Sequence, residues 1–232
     1  MRLGIMQPYF LPYIGYWQLL NAVDTYILYD DVNYINRGWI NRNRILINGA
    51  PSYLTIPLNG ASQNKKIQEI EISSSEKAMT KNLRMVELAY KKAPCFEEVF
   101  QLYRDILLDP EPNLANYLEH SIRKVCRYLQ IGTEILRSSS LPKDNALKGQ
   151  DKILAICKLM KATDYFNAIG GQSLYNASAF AAEGIRLHFL QPAPQEYRQF
   201  GGTFCPNLSI LDVMMFNRPA DIQTYLQQYQ LV

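Results

Sequence analysis

The sequence is poor in the residues that most often announce a chemistry. It has two histidines, His120 and His188, and neither has a partner pattern for a catalytic triad or a metal site. Its four cysteines, Cys95, Cys126, Cys157 and Cys205, form no C-x-x-C pair. That spacing excludes a thioredoxin-type redox motif and a zinc knuckle. Cys126 and Cys157 fall on apolar helical faces and read as small buried hydrophobes. There is no G-x-G-x-x-G, no P-loop and no G-x-S-x-G. No apolar run approaches the ~18 residues of a membrane span. The apolar start is interrupted by Pro8 and Pro12 and lacks a small-residue cleavage site, so it does not fit a leader peptide. Lys plus Arg number 24 against 21 Asp plus Glu, a net charge of +3. So small an excess does not argue for nucleic acid. Free thiols without a leader favour a cytoplasmic location.

What is present is a globular composition, 48% hydrophobic and 19% charged over 232 residues. A chain of that length can bury a full core. Arg2–Met6 and Thr25–Asp30 read as apolar strands around a helix from Tyr13 to Ala22. This is a βαβ unit, so the two strands should be parallel. Residues 44–47 and 52–57 are β-like runs joined through Asn48-Gly49, a hairpin signal. Ile67–Ile72 reads as a further strand. Helical periodicity then runs through Ser75–Lys91, Cys95–Leu108 and Asn113–Gln130. Strands at 133–137, 164–168 and 185–190 alternate with helices at 150–161, 177–183 and 208–216. The expected fold is α/β, with a Rossmann-like, nucleotidyltransferase/HUP-like, mostly parallel sheet. Residues 1–74 and 131–232 would form one α/β domain interrupted by a helical insertion at 75–130.

Ligands of open parallel sheets sit at the carboxyl ends of the strands. Gln7 and Tyr9 occupy that place after the first strand, and Gly15 and Tyr16 open the helix. Tyr13-x-Gly15-Tyr16 stands where nucleotidyltransferase-like folds carry a His-x-Gly-His helix. Tyrosines bring hydrogen bonds but no positive charge. The alternative is a packing turn. Asp30 and Asp31 end the second strand and are candidates for catalysis together with Tyr9, or else solvated loop carboxylates. Arg37, Trp39, Asn41, Arg42 and Asn43 form an array able to clamp a phosphate or carboxylate. Its alternative is a basic strand edge that blocks aggregation. Gly170, Gly171 and Tyr175 follow a late strand and would line the same cleft. Ser209 or Asn207 could cap the last helix, with Asp212 in its first turn. No metal site is expected.

These residues, taken in order, resemble the WbqC-like protein family. The resemblance is carried by Gln7-Pro8-Tyr9, Leu11-Pro12, Gly15-Tyr16, Tyr29-Asp30-Asp31-Val32, Trp39-x-Asn41-Arg42-Asn43 and Leu54-Thr55-x-Pro57. Tyr165, Gly170-Gly171, Tyr175, Gly184-Ile185, Tyr197 and Asn207-Leu208-Ser209-x-x-Asp212 extend it nearly end to end. Tyr13 departs from the pattern, which often has Trp there. The resemblance implies a bacterial protein linked to O-antigen and other cell-surface polysaccharides. It implies a transferase that moves an aminoacyl or acyl group to a nucleotide-linked amino sugar. Gln7, Tyr9, Gly15 and Tyr16 would hold the nucleotide or acyl donor. Arg37 and Arg42 would hold phosphate or carboxylate, and Asp31 would orient the acceptor amine or take its proton. The alternatives are a non-catalytic nucleotide or sugar-phosphate binding protein and a scaffold subunit of a polysaccharide assembly complex. The partner is then a small molecule, the cofactor is unspecified, and a homodimer stays open.

Overall fold

A computed structural model describes residues 1–232. The N-terminal βαβ unit forms as its pattern predicts. β1 (Arg2–Met6) and β2 (Thr25–Leu28) pair in parallel, with α1 (Ile14–Asn21) between them. The Asn48-Gly49 hairpin forms too: β3 (Arg42–Ile47) and β4 (Ala50–Thr55) are antiparallel, Ile47 opposite Ala50. Both turn residues have positive φ, 51° and 77°. That is what a two-residue primed turn demands and what Asn-Gly supplies.

Ile67–Ile72 does not form the expected continuous strand. Ile67–Glu69 is a single 3-10 turn, and only Glu71–Ile72 is extended, as β6, pairing with β5 (Leu58–Asn59). Ile67 and Ile70 are both fully buried. Residues three apart share a face on a 3-10 turn and not on a strand. The Glu69 carboxylate accepts the Lys66 N–H at 2.8 Å and holds the turn closed.

The three middle helices follow: α2 (Glu76–Tyr90), α3 (Phe96–Leu107) and α4 (Leu114–Tyr128). Ser75 and Asn113 cap α2 and α4 through their side-chain oxygens. Leu114, Tyr117, Leu118, Ile122, Val125, Cys126 and Leu129 are all buried, as the 3.6 spacing requires. They join α1 and the sheet in one continuous apolar core.

The α/β alternation then resumes with β7 (Glu134–Arg137), α5 (Gly149–Leu159), β8 (Asp164–Ala168), α6 (Ala177–Ala182) and β9 (Arg186–Pro192). α7 (Ile210–Phe216) is the expected last apolar helix, capped by Ser209. Two elements lie beyond the sequence reading: α8 (Pro219–Tyr225) and the edge strand β10 (Tyr229–Leu231). The six-stranded sheet has the order β10-β9-β8-β1-β2-β7, and only β10 is antiparallel. The chain leaves β1 in one direction to β2 and β7, then returns to β1's other side with β8 and β9. The order reverses between β1 and β8, which places the switch crevice at their carboxyl ends.

Leu3, Ile5 and Ile27 face α5 and α6, where they pack with Ile153, Ile156, Cys157 and Phe180. Tyr26, Leu28 and Phe166 face the other way, into the core shared with α1, the three middle helices and α7. Burial pushes the thiols of Cys126 and Cys157 up to about 12, so both remain protonated and inert.

Candidate functional site

The loop from Gln7 to Tyr13 leaves the carboxyl end of β1 and is fastened to the hairpin. Phe10 N–H meets the carbonyls of Trp39 and Ile40 at 3.2 and 3.1 Å. Asn43 Nδ2 donates to Phe10 O and Leu11 O at 3.3 and 3.0 Å, and its Oδ1 accepts the Arg44 N–H at 2.8 Å. Ser209 Oγ donates to Leu11 O at 2.7 Å. Trp17 Nε1 reaches Pro12 O at 3.0 Å. Loop, hairpin and the start of α7 thus form one rigid wall.

Against that wall lies a cleft of about 300 Å³ lined by Tyr9, Pro12, Tyr13, Trp39, Asn43, Arg44 and Asn207. Its one charged group is Arg44. The guanidinium stands 5.7 Å from the centre of the Trp39 ring, and Nη2 donates to Asn207 O at 3.3 Å. Its Nε has no partner. A guanidinium with donor capacity left, beside an aromatic face, is suited to a carboxylate or phosphate. The phenols of Tyr9 and Tyr13 are raised above their ordinary range, chiefly by burial, so they serve as hydrogen-bond groups and not as phenolates.

A second compartment of about 390 Å³ adjoins the first and shares Tyr13 and Asn207 with it. It lies where β9 ends and α1 begins. Pro192, Pro194, Tyr197, Phe204 and Pro206 contribute to its walls, and Glu196 is its one charged residue. α1 opens here with no side-chain cap and no carboxylate in its first turn.

The residues read from the sequence are not all in this cleft. Tyr9, Trp39 and Asn43 line it. Asn41 is buried and spent on Tyr34 Oη and Ile56 O, both at 2.8 Å. Arg42 lies 4.2 Å from the centre of the Tyr53 ring and donates to the carbonyls of Gly38 and Arg37. Arg37 is exposed, at a positive φ of 60°. Of the three arginines, the one in the cleft is Arg44. Gln7 is half-buried beside Tyr9, and its carbonyl accepts Tyr16 Oη at 3.2 Å. Tyr16 itself is buried, between the rings of Tyr9, Trp17 and Tyr26. The group that approaches Gly15 closely is the ring of Tyr13, 2.5 Å from where a Cβ would stand. Gly15 therefore lets Tyr13 fold back to form the wall between the two compartments.

Asp30 and Asp31 sit at the carboxyl edge of β2, away from Arg44's cleft. Asp30 is fully buried and accepts Ser139 N–H and Oγ at 2.9 and 2.6 Å. Asp31 Oδ2 meets Lys143 Nζ at 2.8 Å and Lys152 Nζ at 2.9 Å, all three side chains 6% exposed or less. Burial works to raise the Asp31 carboxyl, but Lys143, Lys152 and Ser138 outweigh it and hold it below the ordinary range. Neither lysine is evident in the sequence: Lys143 lies in 138–147, which reads as a polar loop, and Lys152 on the helix read at 150–161. Asn167 Nδ2 donates to the phenols of Tyr165 and Tyr175 at 2.8 and 3.1 Å. Gly171 leaves room for the Asn167 side chain, 3.1 Å from where a Cβ would stand, and Gly170 is open. No group of His, Cys, Asp and Glu is placed to hold a metal ion. No helix is long and apolar enough to cross a membrane.

A family model described as the WbqC-like protein family matches residues 7–224. An uncharacterized protein of Mycobacterium tuberculosis is 29% identical over 229 residues, which cover 97% of each chain. No solved structure matches.

Proposed function

Because this chain belongs to the WbqC-like protein family, we propose that it is a transferase of bacterial cell-surface polysaccharide (O-antigen) biosynthesis, taking a nucleotide-linked amino sugar as acceptor. The observation that carries the reading is the Arg44 cleft: one guanidinium among Tyr9, Tyr13 and Trp39, beyond the carboxyl end of β1. The strand order β9-β8-β1-β2-β7 supports a Rossmann-like, HUP-like assignment, since such sheets bind nucleotides at this edge. Arg44 binds an anionic group of the ligand, Trp39 offers a stacking face, Tyr9 orients it by a hydrogen bond, and Asn43 holds the wall behind them. In the transfer, the acceptor nitrogen forms a bond to the acyl carbon of an activated aminoacyl or acyl donor. The bond from that carbon to the leaving group breaks with its electron pair, and the nitrogen's proton passes to a base. Asp31 enters as the counter-ion of Lys143 and Lys152, which it holds at the sheet edge, rather than as that base. Location in the cytoplasm, where nucleotide sugars are made, fits the free thiols.

One observation favours a second reading. The Arg44 cleft is lined by no carboxylate, imidazole or thiol. A binding protein without turnover would need none. Titration calorimetry with UDP-linked amino sugars, on the wild type and on Arg44→Ala, tests the site. The loss of a charged hydrogen bond predicts weaker binding by about 1.5–3 kcal/mol, roughly ten- to a hundredfold. Equal affinity in the two proteins removes the ligand from this cleft. Assay of the bound pair with acyl thioesters and aminoacyl adenylates then separates enzyme from binding protein.

A further inference from the structure

The small net charge of the chain is unevenly placed. From Val32 to Gln68 there is no Asp or Glu, and Arg37, Arg42, Arg44, Lys65 and Lys66 give this stretch a charge of +5. The rest of the chain carries −2. The fold gathers the five cations in one region. Arg42 and Arg44 stand two residues apart on β3, so both leave the same face of the hairpin. Arg42 donates to the carbonyls of Arg37 and Gly38. Asn33 pairs with Lys66 in an antiparallel bridge, and Tyr34 N–H meets Lys65 O at 2.9 Å. Residues 65 and 66 therefore run beside the segment that leads to Arg37. None of the five cations is in an ion pair. The next carboxylate along the chain, Glu69, is turned to the Lys66 N–H.

Aromatic rings are interleaved with these charges. Tyr53 lies opposite Arg44 on the hairpin. Its ring is 4.2 Å from the Arg42 guanidinium and 6.4 Å from the Trp39 ring. Trp39 is 40% exposed, Tyr53 50% and Ile35 48%. Charges that guard a strand edge need no rings beside them, and exposed apolar rings work against that role. Bilayer anchoring sinks apolar side chains roughly 5–10 Å into the lipid boundary. Arg42 and Arg44, lying against Tyr53 and Trp39, would have to sink with them. Half-open rings between guanidiniums suit a ligand that is itself flat and anionic.

We propose that this outer face of the hairpin binds a single-stranded nucleic acid, its phosphates on Arg37, Arg42, Lys65 and Lys66 and its unpaired bases stacked on Tyr53 and Trp39. Basic side chains along the backbone, with aromatic rings under the bases, hold a strand without reading its sequence. Arg37, Arg42, Tyr53, Lys65 and Lys66 lie outside the lining of the Arg44 cleft, so the inference goes beyond the proposed transfer and does not rest on it.

Fluorescence anisotropy with short labelled oligouridylate and oligothymidylate tests it on the full chain, read together with the tryptophan emission. Of the two tryptophans, Trp17 is fully buried and Trp39 is exposed, so quenching on binding reports a base against Trp39. The wild type should bind with quenching, and its affinity should fall with salt at a log–log slope of about −0.7 per phosphate held. Replacing both lysines, Lys65→Gln with Lys66→Gln, should flatten that slope by about 1.4. Tyr53→Ala, at an exposed position, should weaken binding about tenfold. A preference for either oligonucleotide upholds the site and names RNA or DNA as its source. Absence of binding, binding without quenching, or binding that Tyr53→Ala leaves unchanged overturns the proposal. Phosphatidylglycerol vesicles that bind where the oligonucleotides do not overturn it too, and assign the face to a membrane surface.

Discussion

Asp31 is a carboxylate with two ammonium partners and almost no contact with water. The three side chains carry +1 net charge inside the protein, at the edge where β2 ends. Breaking a buried ion pair leaves an uncompensated charge and costs about 3–5 kcal/mol. Asp31→Asn strands two lysines, so a Tm lowered by roughly 10 °C is expected in a thermal melt. A Tm within a degree or two of the wild type contradicts this account. The pH sense follows from linkage. A carboxyl held below its ordinary 3.8 in the folded state stabilises at pH above 3.8. That stabilisation is lost as pH falls below it. Arg42 and Arg44 show the complementary case, two identical side chains on one strand face with different fates. Tyr53 and the carbonyls of Arg37 and Gly38 occupy Arg42, whereas Arg44 faces a cleft.

The element that shapes the cleft is the hairpin, through Asn43. Asn43→Ala removes the donor to Phe10 O and Leu11 O and the acceptor of Arg44 N–H. Buried groups left unpaired cost about 1–3 kcal/mol each. The expected outcome is faster hydrogen exchange at the Phe10 amide and weaker ligand binding with Arg44 still present. Unchanged exchange there refutes the wall as described. Elements of this kind were legible in the sequence where local pattern decides them. The Asn-Gly hairpin, the capped helices α2 and α4 and the apolar strands β1, β2, β8 and β9 are examples. In Ile67–Ile72 the alternating IEI marks the part that is extended, β6, while burial of both Ile67 and Ile70 selects a 3-10 turn before it, which alternation alone does not show. α8, which begins at Pro219, is a short helix of seven residues, and β10 is three residues whose pairing partner is distant β9. The site was legible only in part. Tyr9, Trp39 and Asn43 carry local signals, but whether Arg42 or Arg44 faces the cleft depends on Tyr53 across the hairpin. Lys143 stands in an irregular segment with no periodicity to mark it, and Lys152 lies on α5, where nothing local marks it as a partner of Asp31.

At the scale of the whole molecule, Asp212 joins α7 to α2 through Tyr90, to β3 through the Leu46 N–H on Tyr90 Oη, and to the 197–199 segment. Burial raises its carboxyl above the ordinary 3.8, and the bonds from Tyr197, Tyr90 and Gln199 offset only part of the rise. A carboxyl that holds its proton more tightly when folded favours the fold less as pH rises through that window. The Tm advantage of the wild type over Asp212→Asn should therefore shrink as pH rises from 3.8. Melts of both proteins across that range check the sign, and an advantage that grows with pH contradicts it. The strand order has a further consequence, one of timing. β1 leaves the ribosome first and finds β2 at once, but its other neighbour, β8, begins at Asp164. At ~5–20 residues per second, on the order of ten seconds separates the two. Through that interval the hairpin and the middle helices are made while one edge of the central strand stands open. An open edge is a template for foreign pairing. One of the two central strands of the finished sheet is thus its earliest and longest liability during synthesis, and any chaperone that attends this chain has its work in that interval.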